Sequence, residues 1–262
     1  MGCSIFLCCE SKQKVGFEPP AEPSISPQTA NMVSLAATDI VGTLAIHRFM
    51  TNLNLSNQKL RGANFNSADL ERSNFKGSDL RGADFSGANL RGADMSNARL
   101  NNAKLGKANL SRAILVRSNL TGADLSSAVL KDSDLGETVL IDCDLFRVDA
   151  RGSYLPNANI LNANLSDADF SGADLSFSNL SDSDLSFARL VRADLSGAGL
   201  LDTKMTDADL AGANLRDADL TRANLSYANL QNANLRGAVL KRVNFTGALL
   251  QGAIMPDGTL HS

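Results

Sequence analysis

Two histidines, four cysteines and a long series of aspartates are the residues of this 262-residue chain that could do acid–base, nucleophilic or metal chemistry. Their spacing assigns them none of it. His47 and His261 flank the regular part of the chain, Cys3, Cys8 and Cys9 crowd its start, and Cys143 stands alone. No glycine-rich phosphate loop, zinc-type spacing or nucleophile elbow occurs. The aspartates recur at one place in a five-residue period, just before a large apolar residue, where solvent exposure and turn bonding account for them. Asp124, Asp144 and Asp184 could line one face and hold a cation loosely, but a solvated face is the expected reading. We expect a non-enzyme with no cofactor and no metal.

The period itself positions everything else. From Leu55 to Met255, 40 of the 41 residues five apart are Leu, Phe, Met or Ile, and only Ala150 breaks the row. From Ala63 to Ala253 the residue two places before the centre is small, most often Ala. A helix repeats every 3.6 residues and a strand every two, so five fits neither over distance. It fits a chain that runs extended for about three residues, turns a corner and repeats, pointing the small residue and the Leu inward together. Thirteen of the 20 glycines fall two residues past the central one, and Asn or Asp fill many of the other such places. Those residue types tolerate the positive φ that the third position of a type II turn requires. Four corners per circuit predict coils of about 20 residues stacked as parallel strands roughly 4.8 Å apart. Some ten coils follow, a rod about 50 Å long. Ala150 leaves out a Leu, and Val148 in its own unit with Phe170 one coil on should fill the volume.

Units such as Ala88-Asn89-Leu90-Arg91-Gly92 and Ala213-Asn214-Leu215-Arg216-Asp217 resemble the A(D/N)LXX pattern of the pentapeptide repeat family. The resemblance covers about four-fifths of the chain. It implies an all-β fold, a right-handed quadrilateral parallel β-helix. The closing Ile254-Met255-Pro256-Asp257-Gly258-Thr259 is similar to the tail of many cyanobacterial members. For those members the resemblance implies regulatory roles, control of cell differentiation among them. For the quinolone-resistance members it implies an acidic rod that mimics DNA and acts on DNA gyrase.

The ends read differently. Residues 1–30, with Pro19, Pro20, Pro23 and Pro27, read as a disordered leader or tether. Gly2 and Cys3 resemble the myristate and palmitate sites of dually acylated proteins, although Phe6 stands where the motif wants Ser or Thr. Over 31–52, Met32, Val33, Leu35, Ile40, Val41, Leu44 and Phe49 are spaced for an amphipathic helix. Such a helix would cap the first coil of the rod at 53–255, since an open strand edge invites polymerisation. Residues 256–262 form a short tail, so the far end could stack on a second copy. Few cysteines and no apolar stretch of membrane-spanning length lead us to expect a cytoplasmic protein, or a peripheral membrane one if the leader is acylated.

Charge is segregated along the rod. Net values are +6 over 51–122, −10 over 123–210 and +3 over 211–255. Basic residues are neither continuous nor interleaved with aromatics, which argues against direct nucleic-acid binding. The acidic middle also holds apolar side chains in outward phases. Ile141, Leu161 and Leu201, with Val139 beside them, stack one residue past the centre of the second side and are expected to be exposed. Phe146, Phe187, Phe177 and Tyr154 take outward phases on other sides. An apolar cluster on a hydrophilic rod marks a candidate protein interface. A protein-binding scaffold or regulator is therefore the leading expectation, and a DNA-mimicking modulator of gyrase the alternative.

Overall fold

Each five-residue unit closes on a β-turn. The carbonyl of Leu60 accepts the N–H of Ala63 at 3.1 Å, and Gly62 between them has φ 65°. A bond from the first to the fourth residue with positive φ only at the third defines type II. In the computed structural model, which describes residues 51–262, the same left-handed place recurs corner after corner, with φ from 53° at Asp132 to 75° at Gly252. Where the residue before a centre is Asp or Asn, it commonly secures the turn. Its side-chain oxygen accepts the N–H two residues on, as from Asp124 to Ser126 (2.8 Å), Asp144 to Phe146 (3.0 Å) and Asp184 to Ser186 (3.0 Å). Asn and Asp recur there because each can cap the turn in this way.

Four turns make one circuit. Every fifth residue from Asn54 to Asn234 bridges in parallel to the residue twenty positions on, without a slip. The ladder alternates, with Leu60 N–H donating to Asp79 O and Asp79 N–H to Gln58 O, both at 2.8 Å. We name the four faces by their central residues. The first runs Leu55, Phe75, Met95 to Met255, the second Leu60, Leu80 to Leu240, the third Phe65, Phe85 to Phe245, and the fourth Leu70, Leu90 to Leu250. The corner after each face takes its number.

The inward columns fill the rod. Centres from Leu60 to Leu235 are buried, each Leu contributing about 1.5–3 kcal/mol by leaving water. Phe65 stacks on Phe85 with ring centroids 4.8 Å apart, and Phe75 meets both edge-on. Ala150, Val148 and Phe170 are all buried in the same core, with Phe170 directly above Ala150 in the fourth-face column. Where the small inward residue is polar it finds a backbone partner. Ser133 Oγ donates to Leu130 O, and Ser183 Oγ reaches Ile160 O one coil below while accepting the N–H of Ala163.

The described part starts inside a coil. Thr51 and Asn52 form a corner, with Asn52 at φ 58° and its N–H on Glu71 O. The helix expected over 31–52 therefore does not include its last two residues, because the left-handed place of the turn interrupts any helix. Its other residues, the leader 1–30, Gly2, Cys3 and His47 lie outside the described residues. No helix occurs among the described residues. At the other end the tail folds back. Leu260 bridges Ile254 antiparallel, and His261 exchanges backbone bonds with Gly252 and Ala253. It leaves Leu240, Val243, Phe245, Ala248 and Leu250 of the last coil half-covered.

Candidate interaction surfaces

With the interior committed to packing, function rests on the outward columns, and the 20-residue register decides which residues meet. On the second face Val139, Asn159, Asn179 and Gly199 form the middle column. Ile141, Leu161, Ser181 and Leu201 run along its far edge. Phe177 and Gly197 stand on its near edge, at the first corner. Five of the eight apolar residues singled out above thus border one face. Ile141, Leu161 and Leu201 are half-buried rather than exposed, as is Val139. Neighbours stacked about 4.8 Å above and below cover the flanks of each side chain. Phe177 is different. It is 67 % exposed at φ 56°, with its ring across the next coil, so that a Cβ built at Gly197 would come within 2.6 Å of it.

Tyr154 lies on the first face, 48 % exposed, beside Pro156 and Gly136. Phe146 and Phe187 are not on this side at all. They belong to the third corner, diagonally opposite Phe177. Phe146 is half-buried under the Arg147 guanidinium, 4.8 Å from the ring centroid, and Arg147 also reaches Asp167 at 3.5 Å. Phe187 is 58 % exposed. Tyr227, two coils above it and 61 % exposed, escaped the sequence reading. Its signal was present, an aromatic in the left-handed phase, but it lies outside the acidic middle of the rod.

Charged groups pair both across coils, as Arg117 with Glu137 and Arg222 with Asp202, and within one, as Arg151 with Asp149 and Arg81 with Asp79. Arg117 grips Glu137 at 2.8 Å, Arg151 grips Asp149 at 2.7 Å, and Arg222 donates to Asp202 and Arg81 to Asp79. Each guanidinium holds its carboxylate below the usual range. Asp142, Asp182 and Asp202 line the second corner next to Asp124, Asp144 and Asp184 of the third face, giving an acidic edge. Five of those six carboxylates, all but Asp182, cap turns or pair with neighbours, and no metal-holding cluster occurs among the described residues. Near the other end Arg61, Arg81 and Arg99 surround an open hollow on the second face with Asn101 and Asn119. Burial pushes the Cys143 thiol up to about 12, which leaves it protonated and a poor nucleophile.

The family profile of pentapeptide repeats (8 copies) matches residues 50–87, 68–106, 103–142, 143–176, 178–217, 203–242 and 218–255. No curated protein matches significantly. Among solved structures the chain is similar to HetL, a pentapeptide repeat protein involved in heterocyst differentiation regulation from the cyanobacterium Nostoc sp. Strain PCC 7120. The identity is 34%, covering 83% of this chain and 95% of that one, with a TM-score of 0.36. It is also similar to Rfr23 from the cyanobacterium Cyanothece 51142 (29% identity, 44% and 86% covered, TM-score 0.37). A third likeness is to trypsin-treated QnrB1, a plasmid-mediated fluoroquinolone resistance protein (22% identity, 75% and 91% covered, TM-score 0.39).

Proposed function

Because the chain belongs to the pentapeptide repeat family, whose members are right-handed β-helices, we propose that it is a non-catalytic scaffold or regulator that binds another protein through its second face. Phe177 carries this reading. A left-handed conformation disfavours any residue with a Cβ by about 1–2 kcal/mol, and Asn, Asp or Gly would serve the turn better. A large ring held there in water adds nothing to the core. Beside Val139, Ile141, Leu161 and Leu201 it makes an apolar border around a face otherwise floored by Asn159, Asn179 and Gly199, the composition of an interface centre. The negative middle of the rod would speed encounter with a partner bearing the opposite charge.

The test is affinity capture from native lysate, comparing wild type with Ile141→Lys/Leu161→Lys and with Phe177→Ser. Lys131 already occupies the same phase as Ile141, and Ser67 and Ser127 the same phase as Phe177, so the variants keep the fold. A partner held by wild type and lost by both variants at unchanged thermal midpoint is the expected result. Equal capture by all three would remove the second face as the interface.

The acidic edge of the second corner favours the alternative, a DNA-mimicking modulator of gyrase. It is interrupted by Lys204 and Arg222, which pair with Asp184 and Asp202, so its negative charge is not continuous. A supercoiling assay with and without a quinolone separates the readings, since only the mimic changes gyrase activity.

A further inference from the structure

Along the third corner the left-handed places stack, one per coil, as Arg147, Asp167, Phe187, Asp207, Tyr227 and Gly247. Side chains at this phase lean onto the coil above. Arg147 reaches Asp167, and the Tyr227 ring lies where a Cβ at Gly247 would come within 2.6 Å of it. The lower part of the ridge holds a completed arrangement, with the Arg147 guanidinium placed over the Phe146 ring and against the Asp167 carboxylate. Higher up the same chemistry repeats without its cation. Phe187, Asp207 and Tyr227 present ring, carboxylate and ring over two coil spacings, about 10 Å. Asp207 makes no ion pair among the described residues, while the nearby Arg189 turns to Asp169 (3.7 Å) and Lys204 to Asp184 (3.9 Å). Two aromatics held at φ 61° and 60° and left in water gain nothing for the fold.

We infer that Phe187, Asp207 and Tyr227 form a clamp for an arginine side chain of a partner protein, copying outside the rod the contact that Arg147 makes within it. The two ring faces attract the guanidinium through their quadrupoles and the carboxylate supplies a charge-assisted hydrogen bond. Arginine fits better than lysine because its flat guanidinium can stack on a ring while donating in its own plane. The clamp rests on the binding-scaffold reading only in giving the rod a protein partner, and it lies diagonally across the rod from Phe177.

Fluorescence anisotropy tests it with a labelled heptapeptide of alternating serine and arginine, and with the same peptide carrying citrulline, which keeps the shape and removes the charge. Wild type should bind the arginine peptide at least about tenfold more tightly than the citrulline one. Phe187→Ser/Tyr227→Ser and Asp207→Asn should each weaken it by about tenfold. Phe177→Ser and Asp182→Asn should leave it within about twofold of wild type. Ser67 and Asn97 hold this backbone conformation elsewhere in the rod, so the variants fold, and an unchanged thermal midpoint verifies it. Unaltered affinity in the double variant, or an equal loss in Asp182→Asn, would overturn the clamp. Neither result touches capture through the second face, so the two proposals fail separately.

Discussion

The interior columns and the third corner keep the same 20-residue register yet obey opposite rules. Inside, every central place but that of Ala150 takes a large apolar side chain, because each sits between others of similar bulk and a change of volume is felt at once. At the corner the backbone asks for Gly, Asn or Asp, and Phe187 and Tyr227 ignore it. The fold accordingly tolerates the corner and depends on the column, and departures from the repeat carry information only where the repeat has freedom to depart.

The largest expected effect lies inside. Leu165→Ala, between Leu145 and Leu185 in the third-face column, should cost about 2–5 kcal/mol in chemical denaturation. A loss below about 1 kcal/mol would mean that the column collapses easily, and the contrast with the corners would weaken. Next comes Gly197→Ala, at about 1–2 kcal/mol for its left-handed φ of 66°. It should exceed Gly172→Ala, which meets nothing within 4 Å, and the excess should vanish when Phe177 is also changed to Ser. The corner rule itself is probed by Phe187→Asn. We expect no loss and a gain of up to about 1 kcal/mol, since Asn suits the conformation; a clear destabilisation would show that the ring supports the fold.

The smallest effect concerns acid. Asp79, Asp149, Asp202 and Glu137 have depressed carboxyl pKa values because Arg81, Arg151, Arg222 and Arg117 hydrogen-bond to them. A depressed folded-state value contributes stability that is fully present above the unfolded pKa of about 4 and fades as pH falls through the folded one. The thermal midpoint should therefore be level from about pH 7 to 5 and decline below about pH 4. These pairs face water, so roughly 1 M salt should flatten the decline.

Much of the architecture was legible because a period of five fits a solenoid that turns a corner every fifth residue with Leu inside, while the right-handed, four-sided winding was what the family resemblance implied. The glycine phase announced the type II corners, and the 20-residue circuit placed Phe170 over Ala150. The role of Asp before each centre was also readable as turn bonding. The interaction surfaces were harder. Ile141 and Leu161 were expected to stand clear, but burial of a corner residue depends on the coils stacked above and below it. Phe146, Phe187 and Tyr227 are 40 or so residues apart in sequence, and only the register, followed for two full circuits, puts them on one edge. Apart from residues 51 and 52, which form a turn where a helix end was expected, the N-terminal expectations concern residues that the structure does not describe.

The turn-by-turn closure of the coil has one more consequence. Because each unit of five is a quarter of a circuit, removing or adding one such unit would leave the packing inside nearly unchanged while rotating everything beyond it by 90° about the axis. The rod thus behaves as an indexing shaft. Phe177 and the ridge of Phe187 and Tyr227 face opposite ways because the units between them number two more than a whole number of circuits. A single unit inserted between 177 and 187 would bring Phe177 and the ridge to neighbouring edges, and would carry Gly197, Gly199 and Leu201 off the second face together with the ridge.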